Sequence, residues 1–297
     1  MSERTFDRTD PFASFARARG GGRLHKGKVG TFIAAWQART YIRLSGNREP
    51  SWVFFETILP MLSVIAYLYI YRYLSAGSPD ADRFVSFVVL GGAMVAFWLS
   101  VLWGIANHIF WEKQSGNLEL YFVSPVSPMA MMLGMATGSL VSTSLRASAT
   151  VIVGVFVFGA SFSADNVPGA LLVLVVALGA VYCLGMCFAS IFLVYGREGE
   201  HLAHSLQEPV FFAAGFYYPL RTLPAAVQAL GAVVPLTIGL DAMRQLLIPG
   251  VEGFLPLWVE AAALPLMLVG FAVGAHFSIK HMERKAKREG RLTLRWQ

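Results

Sequence analysis

The chain has 297 residues, 56% of them hydrophobic and only 14% charged, with a formal net charge of +6. So few charges cannot cover the surface of a water-soluble globule of this size, where about 25% is usual, so lipid is the expected solvent for most side chains. The basic excess does not point to nucleic acid, because it sits at the two ends: ten Lys and Arg in the first 50 residues and seven between 278 and 297.

Residues 1–28 read as a disordered cytoplasmic tail, charged, Gly-rich and nearly without large apolar side chains after Phe15. They contain no apolar run of the signal-peptide kind, so the first spanning helix is expected to serve as the insertion signal. The stretch from Gly22 to Lys28 approaches a phosphate-binding loop, but Val29 stands where a Ser or Thr should hold magnesium, and no strand precedes it. No ATP site is expected there. From 29 to 49, Val29, Phe32, Ile33, Trp36 and Thr40 recur at helical spacing, with Leu44 one turn further on and Arg39 and Arg43 on the other side. This pattern predicts an amphipathic helix lying in the headgroup plane of the cytoplasmic leaflet.

Five apolar runs follow, each longer than the ~20 residues that cross a ~30 Å hydrocarbon core. They are 53–73 with Glu56, Pro60 and Arg72, 84–105 without charge, 131–158 with Arg146, 170–195 without charge, and 255–277 with Glu260. Residues 201–220 are also helical in pattern, with Glu208 and Pro209 early and Phe211, Phe212, Phe216, Tyr217 and Tyr218 late. Residues 222–240 are uncharged but broken by Pro224, Gly231, Pro235 and Gly239. Basic residues at both ends place both termini in the cytoplasm and make the number of crossings even. Six crossings are therefore expected, with 221–254 forming a re-entrant segment on the outer side. Residues 278–297 form a basic cytoplasmic tail.

Arg146 lies 15 residues after Met131 and so falls near mid-bilayer at about 1.5 Å per residue. A charge at that depth is normally paired or faces a wet cavity. Glu56 and Glu208 are candidate partners, and an anionic group on a cargo is the alternative. Cys183 and Cys187 share a helix face and read as small core residues. His201 and His204 are the one close helical pair of histidines, at a solvated helix start, and no metal site is expected. The Gly134/Gly138 and Gly270/Gly274 pairs are close-packing signals with a possible place at a dimer seam.

The stretch 110–134, FWEKQSGNLELYFVSPVSPMAMMLG, is too polar to cross, yet Trp111, Leu118, Leu120, Tyr121 and Phe122 need burial. A short amphipathic helix ended by Pro125 and Pro128 fits it, and its aromatic and carboxylate side chains suit the docking of a soluble partner.

Here a resemblance becomes specific. Glu112-Lys113-Gln114-Ser115-Gly116-Asn117-Leu118-Glu119, then Ser124-Pro125-Val126-Ser127-Pro128 and Leu133-Gly134, resembles the cytoplasmic loop of ABC-2 type transporter permeases, with Asn117 in place of the usual Thr. Pro209, Gly215 through Leu220, Leu223-Pro224, Pro235-Leu236-Thr237 and Asp241-Ala242-Met243-Arg244 look like that family's fifth helix and outer re-entrant segment. The likeness spans about residues 30–280.

It implies an all-α integral membrane domain over 29–277. It implies a coupling helix in 110–128 that docks on a separate nucleotide-binding ATPase subunit, through Trp111, Glu112, Lys113, Gly116, Leu118, Glu119, Tyr121 and Pro125. Two ATPase copies would carry the ATP and magnesium, and this chain would bind no cofactor and catalyse nothing itself. A second copy or a sister permease would complete the membrane part in the cell membrane, in contact with lipid. The cargo would be hydrophobic or amphipathic: a drug-like natural product, a lipid or a lipid-linked glycan. Its path is expected near Glu56, Arg146, Glu208, Phe211, Phe212, Tyr217 and Tyr218. The rival classes are an ion- or proton-coupled carrier, for which the intramembrane charges are few and scattered, and a membrane enzyme, for which no carboxylate or histidine constellation stands out.

Overall fold

The computed structural model describes residues 28–46, 50–74, 81–106, 127–195 and 197–288. All regular structure among them is helical. In chain order the helices are α1 (Lys28–Gly46), α2 (Pro50–Leu74), α3 (Ala81–Val101, continued by a π turn over Leu102–Ala106), α4 (Pro128–Phe158) and α5 (Val167–Tyr195). They are followed by α6 (Arg197–Ala213), a 3-10 turn (Leu220–Thr222), α7 (Ala225–Ala232), α8 (Pro235–Leu247) and α9 (Leu257–Arg288).

Four stretches among the described residues are long and apolar enough to cross a membrane: Arg83–Gly104, Met129–Phe158, Val167–Ile191 and Leu257–His281. They coincide with four of the runs read from the sequence, and the chain is a multi-pass membrane protein. A fifth candidate is the pair α7 and α8, bent by 100°. The run 53–73 lies within α2.

The ends of these helices follow from local chemistry. Pro128 opens α4 at a position where its missing N–H costs nothing. Gly159 closes α4 at φ 74, and the next residue, Ala160, returns its N–H to the Gly154 carbonyl at 3.0 Å. The predicted helix through 201–220 stops early: α6 is 17 residues long and ends at Ala213. Pro209 already removes one N–H from its ladder, and Gly215, at φ 63, turns the chain out of the helix.

The bundle is centred on α3, where Val88, Trp98, Val101 and Leu102 are fully buried. On one side α4 packs against α3 and carries α1; on the other, α5 packs along both α9 and α8. The outside of the bundle is apolar, with Leu145 and Phe156 of α4 and Leu266, Val269 and Phe277 of α9 all exposed. Apolar side chains both inside and outside are what a lipid-facing bundle requires.

Two expectations are corrected at α1. Arg39 and Arg43 do not point away from the apolar face but pack on α4. A Cβ at Gly134 would stand 2.6 Å from the Trp36 carbonyl oxygen and 2.7 Å from Arg39 Cβ, and one at Gly138 would stand 2.8 Å from Arg43 Cβ. The two glycines let the α1 backbone come within reach, and the aliphatic stems of the arginines fill the groove. Thr40 Oγ1 donates to the Gly134 carbonyl at 3.1 Å, and Trp36 Nε1 to Thr137 Oγ1 at 3.0 Å. This small-residue face is therefore occupied by α1 of the same chain, not by a second copy. In the other pair, a Cβ at Gly270 would meet nothing within 4 Å, and one at Gly274 would lie 3.7 Å from Cys187 Sγ.

Candidate functional site

Three polar or aromatic assemblies stand out within the apolar bundle. The first is a chain of hydroxyls across α3, α4 and α5. Ser139 and Thr143 are one turn apart on the same face of α4. Ser100 Oγ of α3 meets Ser139 Oγ at 2.8 Å and Tyr182 OH of α5 at 3.3 Å, and accepts from Thr143 Oγ1 at 2.9 Å. A hydroxyl has one proton and two lone pairs, so these three partners saturate Ser100. Thr143 in turn accepts from Arg146 Nη2 at 2.9 Å. All four hydroxyl residues are buried.

At the other end of this chain stands Arg43. A Cβ at Gly104, in the π turn, would lie 3.1 Å from Arg43 Nη2 and 2.9 Å from Ser139 Oγ. Burial lowers the pKa of the Arg43 guanidinium from its ordinary value; Tyr182 opposes this and Arg39 adds to it. Two arginines thus flank a buried row of hydroxyls, an arrangement suited to holding a polar or anionic group inside an apolar bundle.

The second assembly is an aromatic seam at the break after α6. Tyr67 of α2 stacks on Tyr217 with ring centres 4.1 Å apart, and Tyr71 OH donates to the Tyr217 carbonyl at 2.8 Å. Phe211 meets Phe216 edge to face at 5.6 Å, Phe212 lies 6.4 Å from Tyr218, and Tyr218 OH donates to the Phe212 carbonyl. Tyr217 is buried, while Tyr67 and Phe212 present apolar area outward.

The third assembly pins this break from beneath. Arg244 of α8, itself 2% exposed, donates to the carbonyls of Gly215 at 2.8 Å, Phe216 at 2.5 Å and Phe87 at 3.2 Å. Gly91 of α3 makes room for it, since a Cβ there would lie 1.6 Å from the Phe216 carbonyl oxygen.

The structure therefore brings together Phe211, Phe212, Tyr217 and Tyr218 and adds Tyr67 and Tyr71 to them. Arg146 stands apart from that seam, on the hydroxyl chain. Glu208 is exposed on α6 and accepts from Gln207 Nε2 at 3.2 Å; Gln207 in turn receives Trp103 Nε1 at 3.0 Å. Glu56 lies on α2, with its side chain outside the described residues. Trp111, Glu112, Lys113, Gly116, Leu118, Glu119, Tyr121 and Pro125 also lie outside them. Sequence reasoning missed Arg43, Ser100, Ser139, Thr143, Tyr182 and the buried role of Arg244. The spacing of Ser139, Thr143 and Arg146 at intervals of four and three marks one polar stripe on an apolar helix, and would have exposed half of the hydroxyl chain.

No curated protein matches the chain. Residues 35–248, well over half of its length and including all three assemblies, match the family of ABC-2 type transporters. This multi-pass bundle, with its hydroxyl chain, its aromatic seam and its break pinned by Arg244, belongs to the ABC-2 type transporter family.

Proposed function

We propose that the chain is the permease half of an ABC exporter, moving a hydrophobic or amphipathic cargo outward with ATP hydrolysed on a separate nucleotide-binding subunit. The observation that carries this reading is the family match over 35–248. In this reading the chain crosses the cell membrane six times with both termini in the cytoplasm, and α7 and α8 form an outer re-entrant hairpin. Two ATPase subunits, which hold the ATP and magnesium, dock on the loops 110–128 of two permease halves, through Trp111, Glu112, Lys113, Gly116, Leu118, Glu119, Tyr121 and Pro125. Closure of the ATPase pair pushes those loops and moves α2, α3 and α6, opening an outward path.

The aromatic seam supports an apolar or sugar-bearing cargo. Tyr67 and Phe212 offer flat apolar faces, and Tyr217 and Tyr218 add polar edges. Arg146 supports a polar or anionic group on that cargo. Drug-like natural products, lipids and lipid-linked glycans fit this chemistry.

The test is reconstitution in vesicles with the cognate ATPase subunit. Hydrolysis by the complex should rise with cargo, and the permease alone should hydrolyse no ATP. Hydrolysis that persists after every partner subunit is removed would contradict the reading.

A further inference from the structure

Where α1, α4 and the π turn meet, hydrogen-bond donors collect without acceptors. The Arg43 guanidinium makes no hydrogen bond or ion pair with any described residue, and its Nε is buried. The hydroxyl chain beside it is one acceptor short as well. Ser100, Ser139, Thr143 and Tyr182 carry four protons and share three hydrogen bonds, those of Ser100 with each of the others. Thr143 gives its proton to Ser100, so whichever way the Ser100 hydroxyl turns, one proton is left over, on Ser139 or on Tyr182. Ser139 Oγ and Arg43 Nη2 both border Gly104: a Cβ there would lie 2.9 Å from the first and 3.1 Å from the second.

Among the described residues no carboxylate answers these donors. The helices α1, α4 and α5 and the π turn contain no Asp or Glu. Asp82 is at the far end of α3, and Glu208 of α6 is exposed and accepts from Gln207. The charged neighbours of Arg43 are themselves basic: Arg39, one turn back on α1, and Arg146, which donates to Thr143 at 2.9 Å. A buried donor without an acceptor is costly.

The level of this junction in the membrane points to the acceptor. Gly104 is the last residue of the apolar span Arg83–Gly104, so Arg43 meets α3 where hydrocarbon gives way to headgroups. The span of α4, Met129–Phe158, has 30 residues, about ten more than a crossing needs, which lets Ser139 sit at the same level. On α1 itself Val29, Ile33 and Ile42 are exposed, as befits a helix that borders lipid.

We infer that Arg43, with the spare hydroxyl proton beside it, binds the phosphate of an anionic phospholipid from the adjoining leaflet. A phosphodiester offers acceptors only and one negative charge, which suits an unpaired guanidinium fork and a hydroxyl donor. An anionic headgroup is preferred to a choline one, because it brings no further cation to a place beside Arg39 and Arg146. The bound lipid ties α1 to the π turn. The site is independent of the cargo and of the ATPase partner.

Thermal unfolding of the purified full-length chain in a nonionic detergent tests this. One arm adds phosphatidylglycerol, a second phosphatidylcholine, and a third inorganic phosphate in place of chloride at constant ionic strength. The wild-type Tm should rise by several degrees with phosphatidylglycerol, because the lipid binds the folded state alone. It should rise clearly less with phosphatidylcholine and stay flat with inorganic phosphate. Arg43→Gln should lose most of the difference between the two lipids, whereas Arg288→Gln, at an exposed position on α9, should keep it. Arg43→Lys takes over if Arg43→Gln does not accumulate; it keeps the charge without the fork and should lose roughly half of the difference. The proposal is overturned if the wild type responds to neither lipid or to both alike, or as strongly to inorganic phosphate. It is also overturned if the difference survives intact in the Arg43 variant, or is lost equally in Arg288→Gln.

Discussion

The guanidinium carbon of Arg244 lies 3.3 Å from the centre of the Phe87 ring. Through this stack and three carbonyl hydrogen bonds, one side chain joins α8, α3 and the break after α6. It turns a sharp interruption of the chain into a fixed joint: carbonyls that a continuous helix would satisfy internally find a charged donor instead.

Replacing Arg244 therefore removes the joint. Arg244→Ala is expected to cost about 3 kcal/mol or more, as buried acceptors lose their charged donors. Arg244→Lys should fall between, because a lysine lacks the planar fork and stacks less well on the ring. Thermal unfolding in detergent should rank them wild type, Lys, Ala. An alanine variant as stable as the wild type would show that the carbonyls find other donors.

The seat of α1 makes a second prediction. Gly138→Val places a side chain where Arg43 Cβ and the Thr40 carbonyl now sit, and overpacking of this kind costs about 1–3 kcal/mol. Here α1 can yield by lifting off α4. Limited trypsin digestion should then cut after Arg39 and Arg43 faster than in the wild type. Equal rates would mean that α1 is held by something other than this groove.

The hydroxyl chain makes a third. Ser100→Ala strands both Ser139 and Thr143 and should cost about 1–3 kcal/mol, whereas Tyr182→Phe removes one long bond and should cost less than about 1 kcal/mol. A double-mutant cycle on the pair should be non-additive, since Tyr182 has lost its partner once Ser100 is gone. Arg146→Ala should leave the protein in the membrane and impair transport. Normal transport by that variant would show that Arg146 takes no part in moving the cargo.

How far the sequence spoke is visible at particular residues. Four spans were legible because an unbroken apolar run leaves little choice of structure in lipid, and Pro128 and Gly159 mark the ends of α4. The helix at α1 was legible from its period, but its orientation was not. Periodicity identifies two faces and cannot say that glycines 94 or more residues away have prepared a groove for the arginine side. The end of α6 at Ala213 was missed because the aromatic run through Tyr218 keeps a helical pattern, while Gly215 and Arg244 decide the backbone there. Arg244 reads as an outer charge in one dimension; only the fold supplies its three carbonyls and the Phe87 ring. Glu260 was visible as a lone acid in an apolar run, but the Gln245 amide that donates to it at 2.8 Å was not.

Topology follows from the proposed six crossings. With Cys183 and Cys187 replaced, single cysteines at Asp165 and Val251 should react with an impermeant reagent from outside, and a cysteine at Arg288 should react only after the membrane is opened. Labelling at 288 in intact cells would sink the six-crossing layout.

The central claim is that this chain hands its conformation to a separate ATPase through the loop 110–128, and the most direct measurement is copurification of the two. Buried apolar anchors at an interface are worth about 2 kcal/mol or more each, so the double variant Leu118→Ala/Tyr121→Ala should lose most of the ATPase subunit from an affinity-purified permease while remaining in the membrane. Glu112→Gln and Glu119→Gln should keep the subunit and lose the stimulation of hydrolysis by cargo. If the double alanine variant retains the ATPase in full and transports at the wild-type rate, the loop is not the docking site and the account of coupling fails.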